Sequence, residues 1–219
     1  MLKNSILLCN TKYFEMKNPS QELSEIKSMM ERSKRFLSLS GIAGIPVGLT
    51  ALAGIAAINF TIHQSWNVWL LPETLNLSTT QLIWLGIITA LMFGMAAIIT
   101  WILSHKKVPT QKLASPASKK FLEALAIPIA FGTVACLLFA KNELYAYIPG
   151  LSLVMYGLGM IQAAQHSFQE LKRLGLALAV LGLVAFLAPT YSLILWAMGF
   201  GGLHILYGFW MHRKYDRKI

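Results

Sequence analysis

Five side chains that can ionise or hydrogen-bond strongly stand within apolar stretches of this chain: Glu123, Gln162, Gln165, His166 and His204. Such groups are costly to place away from water, so each is a functional candidate and its depth is the first question. Glu123 lies three residues past Lys120 and His166 six before Lys172, which puts both near an aqueous interface. Gln162, Gln165 and His166 share part of one helix face, and Glu123 on the preceding antiparallel helix would meet them at the same level. The expected use of this set is a polar clasp between helices, with Lys119 or Lys120 snorkelling nearby. The alternative is a proton-linked or substrate-contacting cluster. His204 lies deeper, about 13 Å from Arg213 at 1.5 Å per residue, and Gly201, Gly202 and Gly208 leave room beside it. A haem held by His166 and His204 would need both at one depth, which their spacing does not give. A hydrogen bond across helices is the expected use of His204.

Other chemistry is missing from the pattern. Cys9 and Cys136 are far apart, and Cys136 lies in an apolar block, so neither a disulfide framework nor a zinc site is indicated. There is no Gly-x-Ser-x-Gly elbow, no His-Glu-x-x-His, no phosphate loop and no paired aspartates. No catalytic residue, metal or cofactor is therefore expected.

The elements that must position these residues follow from composition. The 219 residues are 56% apolar and only 13% charged, with a mean hydropathy of +0.57, whereas about a quarter of a typical soluble chain is charged. Crossing about 30 Å of hydrocarbon takes roughly 20 helical residues. Six blocks qualify or nearly do, at 36–58, 80–103, 121–140, 145–166, 173–189 and 191–211. The fifth is the weakest, being short and running into Ala188-Pro189-Thr190 almost without a loop. The expected fold is all-α, a polytopic membrane protein of six spans, 36–219, preceded by an amphipathic cytoplasmic helix.

Charge assigns the orientation. Of 19 Lys and Arg, 18 fall before span one, between two and three, between four and five, or after six, leaving Lys141 opposite. Short loops carry their basic residues on the cytoplasmic side, so both termini are expected there, in a bacterial inner membrane. The net charge of +10 thus records topology and contact with anionic lipid headgroups. Nucleic acid is not an expected partner.

Between spans one and two, residues 59–79 carry no Lys or Arg but do carry Phe60, Trp66 and Trp69, which reads as an interfacial segment. Residues 104–120, with five lysines and two prolines, read as an extended linker. A partial repeat then relates Pro149-x-x-Ser152-Leu153 to Pro189-x-x-Ser192-Leu193, and Gly157-x-Gly159-x-x-Gln162 to Gly199-x-Gly201-x-x-His204, with a two-residue slip between the halves. Small residues recur every four positions at Ser40, Gly44 and Gly48, at Gly86, Ala90 and Gly94, and at Ala197 and Gly201. Such ridges let helices approach closely. They are expected to pack within the chain, with a homodimer seam as the alternative. Gly41, Gly44, Pro46 and Gly48 predict a bend in span one.

Residues 1–17 read as a disordered tail, or as an upstream start before a chain that begins at Met16. Asn18, Pro19 and Gln21 open a helix over 18–35, with Leu23, Ile26, Met29 and Met30 on one face. Glu31, Arg32, Lys34 and Arg35 close it at headgroup level, as an entry anchor or as a docking surface for a cytoplasmic protein partner. The run Met29-Met30-Glu31-Arg32-Ser33-Lys34-Arg35-Phe36-Leu37-Ser38-Leu39-Ser40-Gly41 resembles the entry segment of a group of uncharacterised bacterial multi-span membrane proteins, with the pattern Met-x-Glu-Arg-Ser-x-x-Phe-x-Ser-Leu-Ser-Gly. Tyr207-Gly208 and the basic tail are similar to its C-terminal end. The resemblance implies a multi-span fold and carries no activity. Three classes of function follow: a non-enzymatic regulatory or structural membrane partner, which leads; a small-molecule transporter using the polar cluster; and an intramembrane enzyme acting on lipid or quinone.

Overall fold

The structure is a computed structural model that describes residue 20 and residues 22–24, 43–65, 68–72, 75–107 and 116–215. The chain divides into two units, Met1–Ser33 and Lys34–Ile219. In the first unit, residues 20 and 22–24 are helical and Leu23 is exposed. The rest of the expected amphipathic helix, the tail before it and residues 36–42 lie outside the described residues.

In the second unit every regular element among the described residues is helical. The helices are α1 (Gly44–His63), α2 (Thr79–Lys107), α3 (Pro116–Lys141), α4 (Ile148–Ala163), α5 (Gln169–Leu187), α6 (Ser192–Trp196) and α7 (His204–Tyr215). A π-helical segment, Ala197–Leu203, joins α6 to α7 in one continuous rod. Five stretches are long and apolar enough to cross a membrane: Gly44–His63, Thr79–Ser104, Ser118–Lys141, Tyr145–His166 and Pro189–Lys214. The chain is thus a helical protein with membrane-spanning character. α5 falls outside this set because Glu170, Lys172 and Arg173 occupy its first turns, leaving an apolar run over 174–187.

Successive helices run antiparallel, so their ends gather in two groups. Lys106, Lys107, Lys119, Lys120, Lys172, Arg173, Arg213 and Lys214 belong to helix ends at one pole, and Lys141 alone among the described Lys and Arg belongs to the other. At the basic pole Lys214 donates to Glu170, joining the end of α7 to the start of α5.

Local chemistry explains the turns. α1 runs on to His63, beyond residue 58, and stops where Gln64 adopts a left-handed conformation (φ 49°) and its N–H bonds Phe60 O at 2.7 Å. Pro46 sits in the first turn of α1, where its missing N–H leaves no bond unmade. The expected interfacial segment is partly an extended strap: Leu71 is buried and its N–H bonds Thr190 O at 2.9 Å. α2 then starts in a capping box, with Gln81 N–H to Ser78 Oγ at 3.3 Å and Ser78 N–H to Gln81 Oε1 at 3.0 Å. The side-chain amide of Gln81 also donates to Thr61 O at 3.1 Å, tying α2 to α1. α3 ends in a Schellman arrangement around Glu143 (φ 61°), with Leu144 N–H on Phe139 O and Glu143 N–H on Ala140 O. Helices α2 and α3 also extend into the expected linker from both sides, and 108–115 lie outside the described residues.

The tightest packing is between α4 and α5. A Cβ at Gly157 would stand 2.6 Å from Gly175 O and 2.7 Å from Ala179 N, and a Cβ at Gly175 would stand 2.7 Å from Gly157 O. The pair Gly150 and Gly182 repeats this two turns away, with 2.7 Å from a Gly182 Cβ to Gly150 O. Both contacts are backbone to backbone, so neither helix can yield by moving a side chain. α1 makes the same kind of approach to the rod, Gly44 against Gly208 and Gly48 against Gly201 O. By contrast, nothing lies within 4 Å of a Cβ built on Gly86 or Gly94, and Ala90 is exposed. The α2 ridge therefore packs against none of the described residues. Only 6% of the α2 span is buried, against 50% of the span that carries α4.

Gly157→Ala should therefore lower the stability of the detergent-solubilised protein by about 1–3 kcal/mol through overpacking. Gly86→Ala should be neutral or stabilising by up to about 1 kcal/mol, since it only removes a helical glycine. Thermal or SDS-induced unfolding of the two variants checks the contrast.

Candidate functional site

The rod formed by α6, the π segment and α7 carries the polar interior of the bundle. Its sequence Ala197–Leu203 holds Gly199, Gly201 and Gly202, a poor α-helix former, and here the helix widens to π geometry. π segments within α-helices are rare and concentrate at functional sites. The segment ends at His204, whose backbone N–H bonds Gly201 O and whose ring Nδ1 stands 3.1 Å from Gly199 O. A carbonyl only accepts, so Nδ1 carries a proton. The second ring nitrogen, Nε2, stands 3.3 Å from the hydroxyl of Tyr156 on α4. His204 is 5% exposed, so both ring nitrogens are satisfied by protein groups alone.

Phe200 organises the surroundings. Its ring lies parallel to that of His204 (5.9 Å, 10°) and 5.1 Å from Tyr156, and it meets Trp196 and Phe93 edge-on, each at 5.7 Å. Edge-on and offset geometries are the favourable ones for aromatic pairs. One turn toward the less basic pole, Trp196 Nε1 donates to Ser152 Oγ at 2.8 Å, and Ser152 passes its own proton to Pro149 O at 2.9 Å. α4 and the rod are thus joined by two hydrogen-bonded links, Ser152 to Trp196 and Tyr156 to His204. Interhelical hydrogen bonds in membranes are worth only about 0.6 kcal/mol on average. They orient the two elements more than they hold them.

Beside this pair is a cavity of about 60 Å³. Val47 and Ala51 line it from α1, and Met92, Phe93 and Ala96 from α2. Tyr156, Phe200 and His204 complete the wall. Among the described residues, its hydrogen-bonding side chains are Tyr156 and His204. Its outer wall is α2, the least buried span, whose Phe93 is itself exposed.

The structure distributes the residues singled out from sequence as follows. His204 is interior and bonds across to Tyr156. Glu123, Gln162 and Gln165 are exposed, and His166 is half-buried in the turn Ala164–His166 that follows α4. No hydrogen bond or ion pair joins these four among the described residues. Glu31, Arg32, Lys34 and Arg35 lie outside the described residues. Among the described residues no group of three His, Cys, Asp or Glu comes close enough to hold a metal. Sequence reasoning missed Tyr156 and Phe200, and it noticed Ser152 only as part of the repeat. The two-residue slip in the repeat lies between Leu193 and Gly199 and overlaps the start of the π segment, but nothing in the spacing singles out Tyr156.

A second group was also missed. Asn59 Oδ1, Ser192 Oγ and His63 Nε2 are buried without a hydrogen-bond partner among the described residues. An unsatisfied buried polar atom costs about 1–3 kcal/mol.

The chain matches no protein-family model, no curated protein and no solved structure. What the site does must be argued from its geometry.

Tyr156→Phe should destabilise the protein by about 1–2 kcal/mol, since it leaves His204 Nε2 buried without its donor. Adding His204→Leu should cost less than the sum of the two single changes, by at least about 0.5 kcal/mol. A double-mutant cycle read by thermal unfolding measures that coupling.

Proposed function

We propose that this chain is a six-span protein of the bacterial cytoplasmic membrane, with both termini on the cytoplasmic side. It acts as a regulatory or structural membrane partner, without bond-making chemistry, and its state is set by a small lipophilic molecule bound beneath α2. The observation that carries this reading is the Tyr156–His204 pair, interior to the bundle at a π segment and bordering an apolar cavity whose wall is the most weakly held helix. Ligand sites are concave and mostly apolar, with a few convergent polar groups. A helix packed mainly on α1 can shift on occupancy without disturbing the glycine-locked pair α4 and α5. A transporter would need its polar side chains along an internal path, and Glu123, Gln162 and Gln165 are on the exterior.

Two observations support the topology. All the described Lys and Arg except Lys141 gather at one pole, as the positive-inside rule requires. α5 packs along α4 through two glycine pairs, so its short apolar run lies beside a full span; a modest mismatch of this kind is accommodated by the bilayer.

Topology is tested by single cysteines in a chain whose Cys9 and Cys136 are replaced by Ser. Asn142→Cys and Tyr191→Cys should react with a membrane-impermeant maleimide in intact cells, and Lys172→Cys only after permeabilisation. Equal labelling at Lys172→Cys and Tyr191→Cys would mean that α5 does not cross. The binding role is tested by adding an organic extract of native membranes to delipidated protein. Thermal stability should rise logarithmically with the amount of extract, by about 2.7 kcal/mol at a hundredfold excess over Kd. Filling the cavity with Ala96→Leu should abolish the rise.

A further inference from the structure

We infer that the cavity beneath α2 receives the hydroxyl end of a membrane-soluble aliphatic alcohol, with the Tyr156 oxygen as its hydrogen-bond acceptor. This rests on the binding role proposed above and adds the chemistry of the ligand.

The direction of the hydrogen bonds carries the inference. Gly199 O accepts from His204 Nδ1, which fixes the tautomer. No carboxylate bonds or ion-pairs with His204 among the described residues, and an unpaired charge in such a place is costly, so the imidazole is neutral and Nε2 offers only a lone pair. The Tyr156 hydroxyl must then donate to Nε2. Every proton at the site is thereby committed within the protein. What Tyr156, which lines the cavity, can still offer is the acceptor capacity of its phenolic oxygen. The other six lining side chains, Val47, Ala51, Met92, Phe93, Ala96 and Phe200, offer no N–H or O–H donor. A ligand presenting only carbonyl or ether oxygens would find no partner here, whereas one presenting an O–H would.

Size narrows the class further. A volume of about 60 Å³ is well below the ~150 Å³ cavity that admits a benzene ring, so a hydroxymethyl end fits and an aromatic head does not. The apolar remainder of the ligand must leave past α2, where Phe93 is 41% exposed on a span whose outer surface is apolar. An alcohol on an acyl glycerol and an alcohol on a prenyl chain share this chemistry.

The test uses the full chain in detergent micelles and four probes: 1,2-dioctanoylglycerol, farnesol, and the methyl ether of each. Binding is read by equilibrium titration. At least one alcohol should bind saturably and about fivefold to tenfold more tightly than its ether, the loss expected for one hydrogen bond. Whichever alcohol wins identifies the source, glycerolipid or prenol. Ala96→Leu should abolish saturable binding. In Tyr156→Phe/His204→Leu, which removes both acceptors, alcohol and ether should bind equally, and unchanged affinity for the ether shows that the variant is folded. If that variant does not fold, the wild-type preference for alcohol over ether and its loss in Ala96→Leu decide the matter. Equal binding of alcohol and ether to the wild type would overturn the hydroxyl assignment and leave the binding role standing. No saturable binding of either alcohol would also overturn it; if the membrane extract then gives no stabilisation, the binding role falls as well.

Discussion

In a membrane, an apolar side chain gains almost nothing by exchanging lipid for the surface of another helix, so helices associate where their backbones can come close enough for dense packing. Here that constraint is met at Gly157 against Gly175 and Gly150 against Gly182. At both pairs the space that a methyl group would fill is taken by the partner's main chain. These contacts set the rotation of α4 about its axis, and that rotation decides that Ser152 and Tyr156 are presented to the rod of α6, the π segment and α7. α1 then closes on the rod through Gly44 and Gly48. α2 comes last, held to α1 by Met92 against Gly54 and by the Gln81 amide on Thr61.

The second constraint is that polar groups inside the bundle must find partners in the protein. The π segment serves this need directly. By widening the helix it lets the ring of His204 reach back to Gly199 O, fixing the proton on Nδ1 and leaving Nε2 for Tyr156. Local backbone irregularity, side-chain tautomer and the lining of the cavity are one linked arrangement. Rigid and yielding parts are also separated: the glycine-locked pair α4 and α5 on one side, and the largely unburied α2 on the other.

Much of this was legible in the residues. Apolar length marks helices that can span a membrane, and the sign of the charges segregates at the poles because their positions lie at helix ends. Ser78 and Gln81 form a capping box that fixes where α2 begins, a pattern not singled out from the sequence. Other features were only half legible. The four-residue ridges looked alike in sequence, yet Gly44 and Gly48 meet backbone while Gly86 and Gly94 meet nothing among the described residues. Of the glycines that matter most, spaced by seven within each helix at 150 and 157 and at 175 and 182, only Gly157 was noticed, as part of the repeat. The two-residue slip in the repeat was visible, but the change of helix type at Ala197–Leu203, whose start it overlaps, was not.

Sequence by itself determined the helical, membrane-spanning character of the chain and the segregation of its charge, because both depend on one-dimensional quantities: the length of apolar runs and the sign of the residues between them. Only the tertiary structure decided which polar side chains meet. His204 pairs with Tyr156, while Glu123, Gln162 and Gln165 turn outward. The reason is physical: a helix apolar on every side has no hydrophobic face to declare its rotation. In such a helix the contact face is chosen by shape, where one backbone fits against another, and that choice exists only once the helices are together.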